Sequence, residues 1–182
     1  MSKVLIIGGG AAGMMAGVFA ARNHHEVHIL EKNEKLGKKV FITGKGRCNV
    51  TNNCDIKTVL ANIPGDGRFL YSALNRFEPR DTMALFESLG VPLKTERGNR
   101  VFPQSDKAAD IIDALFLWVK RAGVTIVHTT ADELLIEDGV LTGVRAGHKA
   151  YKADRIIVAT GGASYPQTGS TGDGYRFARQ AG

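Results

Sequence analysis

The chain has 182 residues, 43% hydrophobic and 23% charged, with 24 Lys and Arg against 18 Asp and Glu for a formal net charge of +6. That size and balance describe a globular domain with a sizeable core; they exclude wholesale disorder and leave little room for two full domains. The two cysteines, Cys48 and Cys54, are too few for a disulfide framework and suit a reducing cytoplasm.

Val4-Leu5-Ile6-Ile7 reads as a buried strand and runs directly into Gly8-Gly9-Gly10-Ala11-Ala12-Gly13. The glycines at 8, 10 and 13 make G-x-G-x-x-G, and each has its own task. Gly8 turns the chain out of the strand, Gly10 lets the backbone approach a pyrophosphate with no Cβ in the way, and Gly13 lets a helix pack close to the strand. The helix, read from Gly13 through Arg22, points unpaired N–H groups and its positive dipole end at phosphates. Glu26-Val27-His28-Ile29-Leu30 is a second buried strand. It ends at Glu31, about 20 residues past the turn, where a carboxylate can accept from both hydroxyls of an adenosine ribose. A ligand-free βαβ unit is the plain alternative; the strand, helix and acid around the turn favour a dinucleotide. The apolar stretch from Val4 to Ala21 is broken by Gly8, Gly9, Gly10, Gly13 and Gly17, so it reads as strand plus buried helix, not as a signal peptide or membrane span.

Asn33 to Asn53 is rich in glycine and lysine with few helical signals, and is expected to be a functional loop. Its cluster of Lys35, Lys38, Lys39, Lys45 and Arg47 suits a solvated loop, a diphosphate neutraliser or a nucleic-acid patch. No aromatic interleaving or nucleic-acid module accompanies it, so nucleic acid is not the expected partner. Asp55 is placed to N-cap a short helix through Ala61, stopped by Pro64-Gly65, and Phe69-Leu70 with Leu74 and Phe77 suggests another. Pro79 opens a helix to Leu89, closed by Gly90, and Arg97-Gly98-Asn99-Arg100 is a turn before Val101-Phe102-Pro103. Ser105 caps an amphipathic helix in which Ala108, Ile111, Ile112, Leu115 and Val119 share a face, with Trp118 read as core. Val124–Val127 is a third parallel strand. Glu133–Ile136, the Asp138-Gly139 turn and Val140–Val144 form a hairpin, with a third antiparallel segment through Tyr151. Arg155–Val158 returns as a buried strand into Ala159-Thr160-Gly161-Gly162, and Thr171-Gly172-Asp173-Gly174 leads into a helix from Tyr175 to Ala181.

This order of elements resembles the first half of the FAD-binding fold of glutathione-reductase-type flavoproteins. That fold is α/β, a Rossmann-like parallel sheet with an antiparallel three-stranded meander as a crossover. Three further blocks narrow the resemblance: residues 43–52 (T-G-K-G-R-C-N-V-T-N), 99–108 (N-R-V-F-P-Q-S-D-K-A) and 159–174 (A-T-G-G-A-S-Y-P-Q-T-G-S-T-G-D-G). With the N-terminal fingerprint they are similar to the HI0933-like (YhiN/BaiN-type) family of NAD(P)/FAD-dependent oxidoreductases, over essentially the whole chain.

The resemblance implies a non-covalent FAD and flavin-mediated redox of an unidentified small molecule, with NAD(P)H or oxygen as redox partner. It assigns the pyrophosphate to Gly8, Gly10, Ala11, Ala12 and Gly13, and the adenosine ribose to Glu31. Lys32 and Lys38 would flank the nucleotide, while Gly46, Arg47, Cys48, Asn49 and Thr51 would lie along the ribityl and flavin side. Ala131-Asp132 would edge the adenine, and Ala159, Thr160 and Gly161 would close over the cofactor. Asp173 sits in a loop that resembles one approaching FAD in succinate dehydrogenase-type flavoproteins. Members of the family are longer, with an inserted substrate domain and a C-terminal segment that completes the FAD domain. Residues 1–182 are therefore expected to be the N-terminal part of a FAD-binding domain from a truncated gene, a split gene or a longer protein. The expectation carries a separately encoded C-terminal half as partner, and an apolar sheet or helix face left exposed.

A bound flavin carries the electron chemistry, and the protein binds, orients and tunes it. Arg47 is a candidate for raising the flavin's potential. Cys48 has no C-x-x-C partner and reads as a loop cysteine rather than a catalytic one. The histidines at 24, 25, 28, 128 and 148 lack metal-ligand spacing, no nucleophile–base set is readable, and no catalytic residue is assigned. No second G-x-G-x-x-G marks a separate NAD(P)H domain. A non-catalytic FAD- or ADP-binding fragment is the alternative function.

Overall fold

The computed structural model describes residues 1–182. In chain order the elements are β1 (Lys3–Ile7), α1 (Ala11–Arg22), β2 (Glu26–Glu31), α2 (Lys38–Ile42), β3 (Thr51–Asn52), α3 (Ile56–Ala61), α4 (Tyr71–Arg76), α5 (Pro79–Ser88), β4 (Leu93–Glu96) and β5 (Arg100–Pro103). They continue through α6 (Ala108–Arg121), β6 (Thr125–His128), β7 (Glu133–Glu137), β8 (Val140–Ala146), β9 (Lys149–Lys152), β10 (Arg155–Val158) and α7 (Asp173–Ala181). The chain forms two compact units, Met1–Val40 with Leu115–Gly182, and Phe41–Ala114.

The first unit is the α/β part. Its four-stranded parallel sheet has the order β10-β1-β2-β6, with Ile7 paired to both Leu30 and Val158. β1 and the end of β2 are apolar on both faces because both faces are covered. On one face α1 packs through Gly17, where a Cβ would come within 3.2 Å of Ile29 Cδ1 and 3.5 Å of Ile6 Cδ1. On the other, Leu5, Ile7 and Leu30 meet Val144 of the meander and Phe177 of α7 in one buried cluster. Alternate residues of one strand thus feed two cores.

β7-β8-β9 form the separate antiparallel meander expected from the sequence. Asp138 and Gly139, at φ +52° and +75°, join β7 to β8 with both turn residues left-handed, as a two-residue type I′ hairpin requires. Trp118 is buried against the edge of Phe19, with ring centroids 5.9 Å apart, and beneath Arg22. β10 forms one edge of the parallel sheet, and its Ile157 and Val158 are 36% and 44% exposed.

The second unit holds a three-stranded antiparallel sheet in the order β3-β5-β4, with Val101 and Phe102 buried. Asp55 caps α3 by accepting from the Thr58 N–H at 2.7 Å. Glu78 and Asp81 make a capping box ahead of Pro79 at the start of α5. The small sheet was not anticipated, and the stretch Asn33–Asn53 is more ordered than a loop. It contains α2, a 3-10 turn at Thr43–Gly46 and strand β3. β3 is only Thr51–Asn52, and it exists because Thr51 pairs with Val101, a distant partner that local periodicity cannot reveal.

Candidate functional site

The glycine turn sits at the carboxyl end of β1, and three of its glycines meet different surroundings. Gly8 has φ +108°, and a Cβ there would lie 2.5 Å from the Ala159 carbonyl oxygen. Gly13 is tighter still, since its Cβ would lie 1.9 Å from the Gly8 carbonyl oxygen. Both positions are glycine because of the protein's own backbone.

Gly10 differs. Its φ of −75° is open to any residue, and a Cβ there would meet nothing within 4 Å. Nothing in the protein demands glycine at position 10, so the open space beside it has the character of a cradle. That space adjoins the N-terminus of α1, where no side chain caps the helix and no acidic residue occupies the first turn. The exposed Ala11 and Ala12 and the buried Gly13 begin that turn. Free amide donors, a positive dipole end and room for backbone approach are the features a pyrophosphate needs.

Glu31, at the end of β2, is 6% exposed and its carboxylate is held on both oxygens. Oε2 accepts from the Gly9 N–H at 2.6 Å. Oε1 accepts from both the backbone N–H and the side-chain Nδ2 of Asn33, each at 2.7 Å. A carboxylate has about four acceptor positions, so one remains, on Oε2. The sequence suggested that Glu31 takes both ribose hydroxyls; the two Asn33 bonds leave capacity for one.

Lys32 is an ion-pair partner rather than a free cation. Its Nζ donates to Asp173 at 2.8 Å and to Thr171 Oγ1 at 3.0 Å. The bond from Lys32 holds the Asp173 carboxyl below its ordinary pKa. Lys38 is exposed at the start of α2, and Lys39 donates to the Ser164 carbonyl at 2.8 Å. Ala159, Thr160 and Gly161 follow β10, and Ala159 and Thr160 abut the glycine turn at Gly8. Gly161, at φ +74°, leaves room for Ser170 Oγ, which would be 2.8 Å from a Cβ there. Arg176 donates to the carbonyl of Asp132 and, at 3.4 Å, to that of Ala131. It thereby fixes the backbone edge that the sequence reading assigned to adenine.

Gly46, Arg47, Cys48, Asn49 and Thr51 belong to the second unit. Gly46 has φ +86° with open space around it. Arg47 donates to Glu96 at 2.5 Å and to Asp106 at 2.7 Å, and its guanidinium lies 4.1 Å from the Phe102 ring centre. Lys94 completes the cluster with a 2.6 Å bond to Asp106. Two cations face two carboxylates, so the Arg47 charge, a candidate for tuning a flavin, is locally balanced. The Asn49 side chain donates to the Thr51 and Val101 carbonyls, stitching the loop to β5. Cys48 is buried, and burial pushes its thiol pKa up, which disfavours the thiolate a reactive cysteine needs.

The Arg47 cluster has a pH signature. The Arg47 bond holds Glu96 below its ordinary pKa, and the Lys94 bond followed by the Arg47 bond does the same for Asp106. Depressed carboxylates stabilise the folded state above their unfolded pKa, and that contribution is lost as pH falls through the folded value. Thermal melting from neutral pH to below the carboxylate range should therefore show an acid-side decline that is shallower in Arg47→Ala. An equally steep decline in the variant would show that the cluster does not couple to folding.

Asn33 and Arg176 are the candidate site residues that sequence reasoning missed. Asn33 stands two residues after the acid, but nothing in its spacing announces a bond back to it.

The family model of the HI0933-like protein Rossmann domain matches residues 2–182. The 3-dehydro-bile acid delta(4,6)-reductase of Clostridium scindens is 37% identical over 184 aligned residues, covering 100% of this chain and 44% of that protein. The ribosomal RNA dihydrouridine synthase of Escherichia coli is 30% identical over 184 residues, covering 98% of this chain and 44% of that protein. The chain thus spans less than half the length of these relatives. Among solved structures, Thermovibrio ammonificans THI4 aligns with a TM-score of 0.61 at 17% identity, over 92% of this chain and 60% of that one, a likeness of fold. No helix is long and apolar enough to cross a membrane.

Proposed function

The chain belongs to the HI0933-like family, for which FAD is the cofactor, and on that footing we propose that it supplies the FAD-holding part of a reductase for a carbon–carbon double bond conjugated to a carbonyl. The observation that carries the cofactor half is the open space at Gly10, beside an uncapped helix N-terminus and a held carboxylate. The names of the two relatives support the reaction half. A delta(4,6)-reductase of a 3-dehydro compound and a synthase of dihydrouridine both describe hydrogen added to an unsaturated carbonyl system. We assign a small-molecule substrate, as in the bile acid relative, and NAD(P)H as electron donor.

In this reading the first-turn amides at Ala11, Ala12 and Gly13, with the open flank of Gly10 and the turn at Gly8, bind the pyrophosphate. Glu31 accepts one ribose hydroxyl on Oε2. The Ala131-Asp132 edge, held by Arg176, lies along the adenine. Ala159, Thr160 and Gly161, with Lys32, Lys38 and Asp173, close the near side. Gly46, Arg47, Cys48, Asn49 and Thr51 keep their family assignment to the flavin end, with Arg47 acting through the loop it braces. Bound FAD supplies two-electron redox chemistry, and the residues named here bind and orient it.

The chain spans 44% of the length of these relatives, and a second reading is that residues 1–182 bind FAD or ADP without turnover. One titration separates the two. The purified chain is mixed with FAD, separated from free flavin, and treated anaerobically with NADPH and then NADH. Retained flavin bands that bleach are the expected result, whereas retained bands that never bleach favour binding without turnover. A chain that takes up no FAD overturns both readings.

A further inference from the structure

Asn33 joins three parts of the first unit. Its backbone N–H and Nδ2 both bond to Glu31 Oε1. Nδ2 also donates to the Thr168 carbonyl at 3.2 Å, and its own carbonyl faces His128 Nδ1 at 3.0 Å. Gly169, at φ +95°, lies against it so closely that a Cβ would come within 2.7 Å of Asn33 Nδ2. The loop after β10 therefore closes directly on the amide that holds the acid. With Oε1 saturated by Asn33 and Oε2 carrying only the Gly9 bond, the acceptor capacity of Glu31 is confined to one oxygen and one direction.

We infer that Asn33 is a positioning residue for ribose recognition: by occupying Oε1 it aims Glu31 Oε2 at a single hydroxyl of the nucleotide. The inference rests on the dinucleotide reading above. Without the Nδ2 donor, the carboxylate loses one of the three bonds that set its plane, and its free oxygen is no longer held toward one hydroxyl. Pyrophosphate recognition does not use this carboxylate and is untouched.

The test compares binding of ADP with that of its 2′,3′-dideoxy analogue by calorimetry, for the 182-residue chain and two variants. The unaltered chain should prefer ADP by about tenfold, the factor that one hydrogen bond to a charged group supplies. In Asn33→Ala that preference should collapse toward unity while affinity for the dideoxy analogue is unchanged. Asn33→Leu nearly keeps the volume and removes the donor without adding charge, and should show the same collapse even if the alanine variant folds poorly. A preference preserved in the variants overturns the inference and leaves the cofactor reading standing. Equal weakening of both nucleotides also overturns it, because that is what a general structural role would produce. If the unaltered chain binds neither nucleotide, the inference falls together with the cofactor reading.

Discussion

Gly13→Ala is expected to cripple folding, whereas Gly10→Val should leave the fold nearly intact and remove the dinucleotide. The two glycines belong to one motif and stand three residues apart, yet their surroundings are opposite. At Gly13 a Cβ would sit 1.9 Å from the backbone oxygen of Gly8, which cannot move without displacing the end of β1. Relief requires α1 to shift away from the sheet, at the upper end of the ~1–3 kcal/mol typical of overpacking or beyond it. At Gly10 a Cβ meets nothing within 4 Å and the backbone is in a region open to valine. The only structural cost there is a poorer helix N-cap, about 1 kcal/mol or less. The valine methyls would fill the space through which a pyrophosphate reaches the helix amides. FAD affinity should then fall on the order of 100-fold, about what losing one charge-assisted contact costs. Urea melts of the ligand-free variants, with FAD titration of the Gly10 variant, decide the matter. A Gly10→Val chain that holds FAD as well as the unaltered one would place the pyrophosphate elsewhere.

Glu31→Ala should lower stability even when no ligand is present. If the acid served only a ribose, its removal would cost binding alone. Its carboxylate instead satisfies the Gly9 N–H, which is buried, and two donors of Asn33. Truncation leaves the buried Gly9 N–H and the Asn33 backbone N–H without an acceptor, and Asn33 Nδ2 with the Thr168 carbonyl alone, in a site where Glu31 itself is 6% exposed. Each unsatisfied buried donor costs ~1–3 kcal/mol, and water entering the vacated space relieves part of this, so the net loss should be about 3 kcal/mol. FAD affinity should fall as well, since the ribose hydroxyl loses its acceptor. The check is the denaturation midpoint of the apo-chain beside its FAD affinity. A midpoint unchanged by the substitution would mean that the three bonds contribute nothing to folding, and that Glu31 acts on ligand alone.

Both predictions locate what sequence by itself determined. The strand–glycine turn–helix–strand–acid order was readable because every part of it is local. Apolar runs specify strands, glycine specifies the turn, and the distance to Glu31 specifies the end of the second strand. The meander was readable for the same reason, since alternation and the Asp138-Gly139 turn form it from neighbours. The division of labour among the glycines was stated from the motif, but only the fold shows that Gly8 and Gly13 answer to backbone contacts and Gly10 to empty space.

Tertiary structure alone decided the rest. The β3-β5-β4 sheet depends on Thr51 meeting Val101 across most of the second unit's sequence, and strands this short leave no period to detect. Arg47 was named as a candidate for tuning a flavin without its partners in view, because Glu96 and Asp106 are far away in the chain. The Lys32 ion pair was out of view until Asp173 was brought to it, and Asn33 carried no signal until Thr168 and His128 closed around it. Local backbone preferences and hydrophobic period are written into neighbouring residues. Charge balance and hydrogen-bond capacity depend on partners that only folding brings within reach, so the sequence named the cradle and the tertiary structure decided which of its groups remain free to bind.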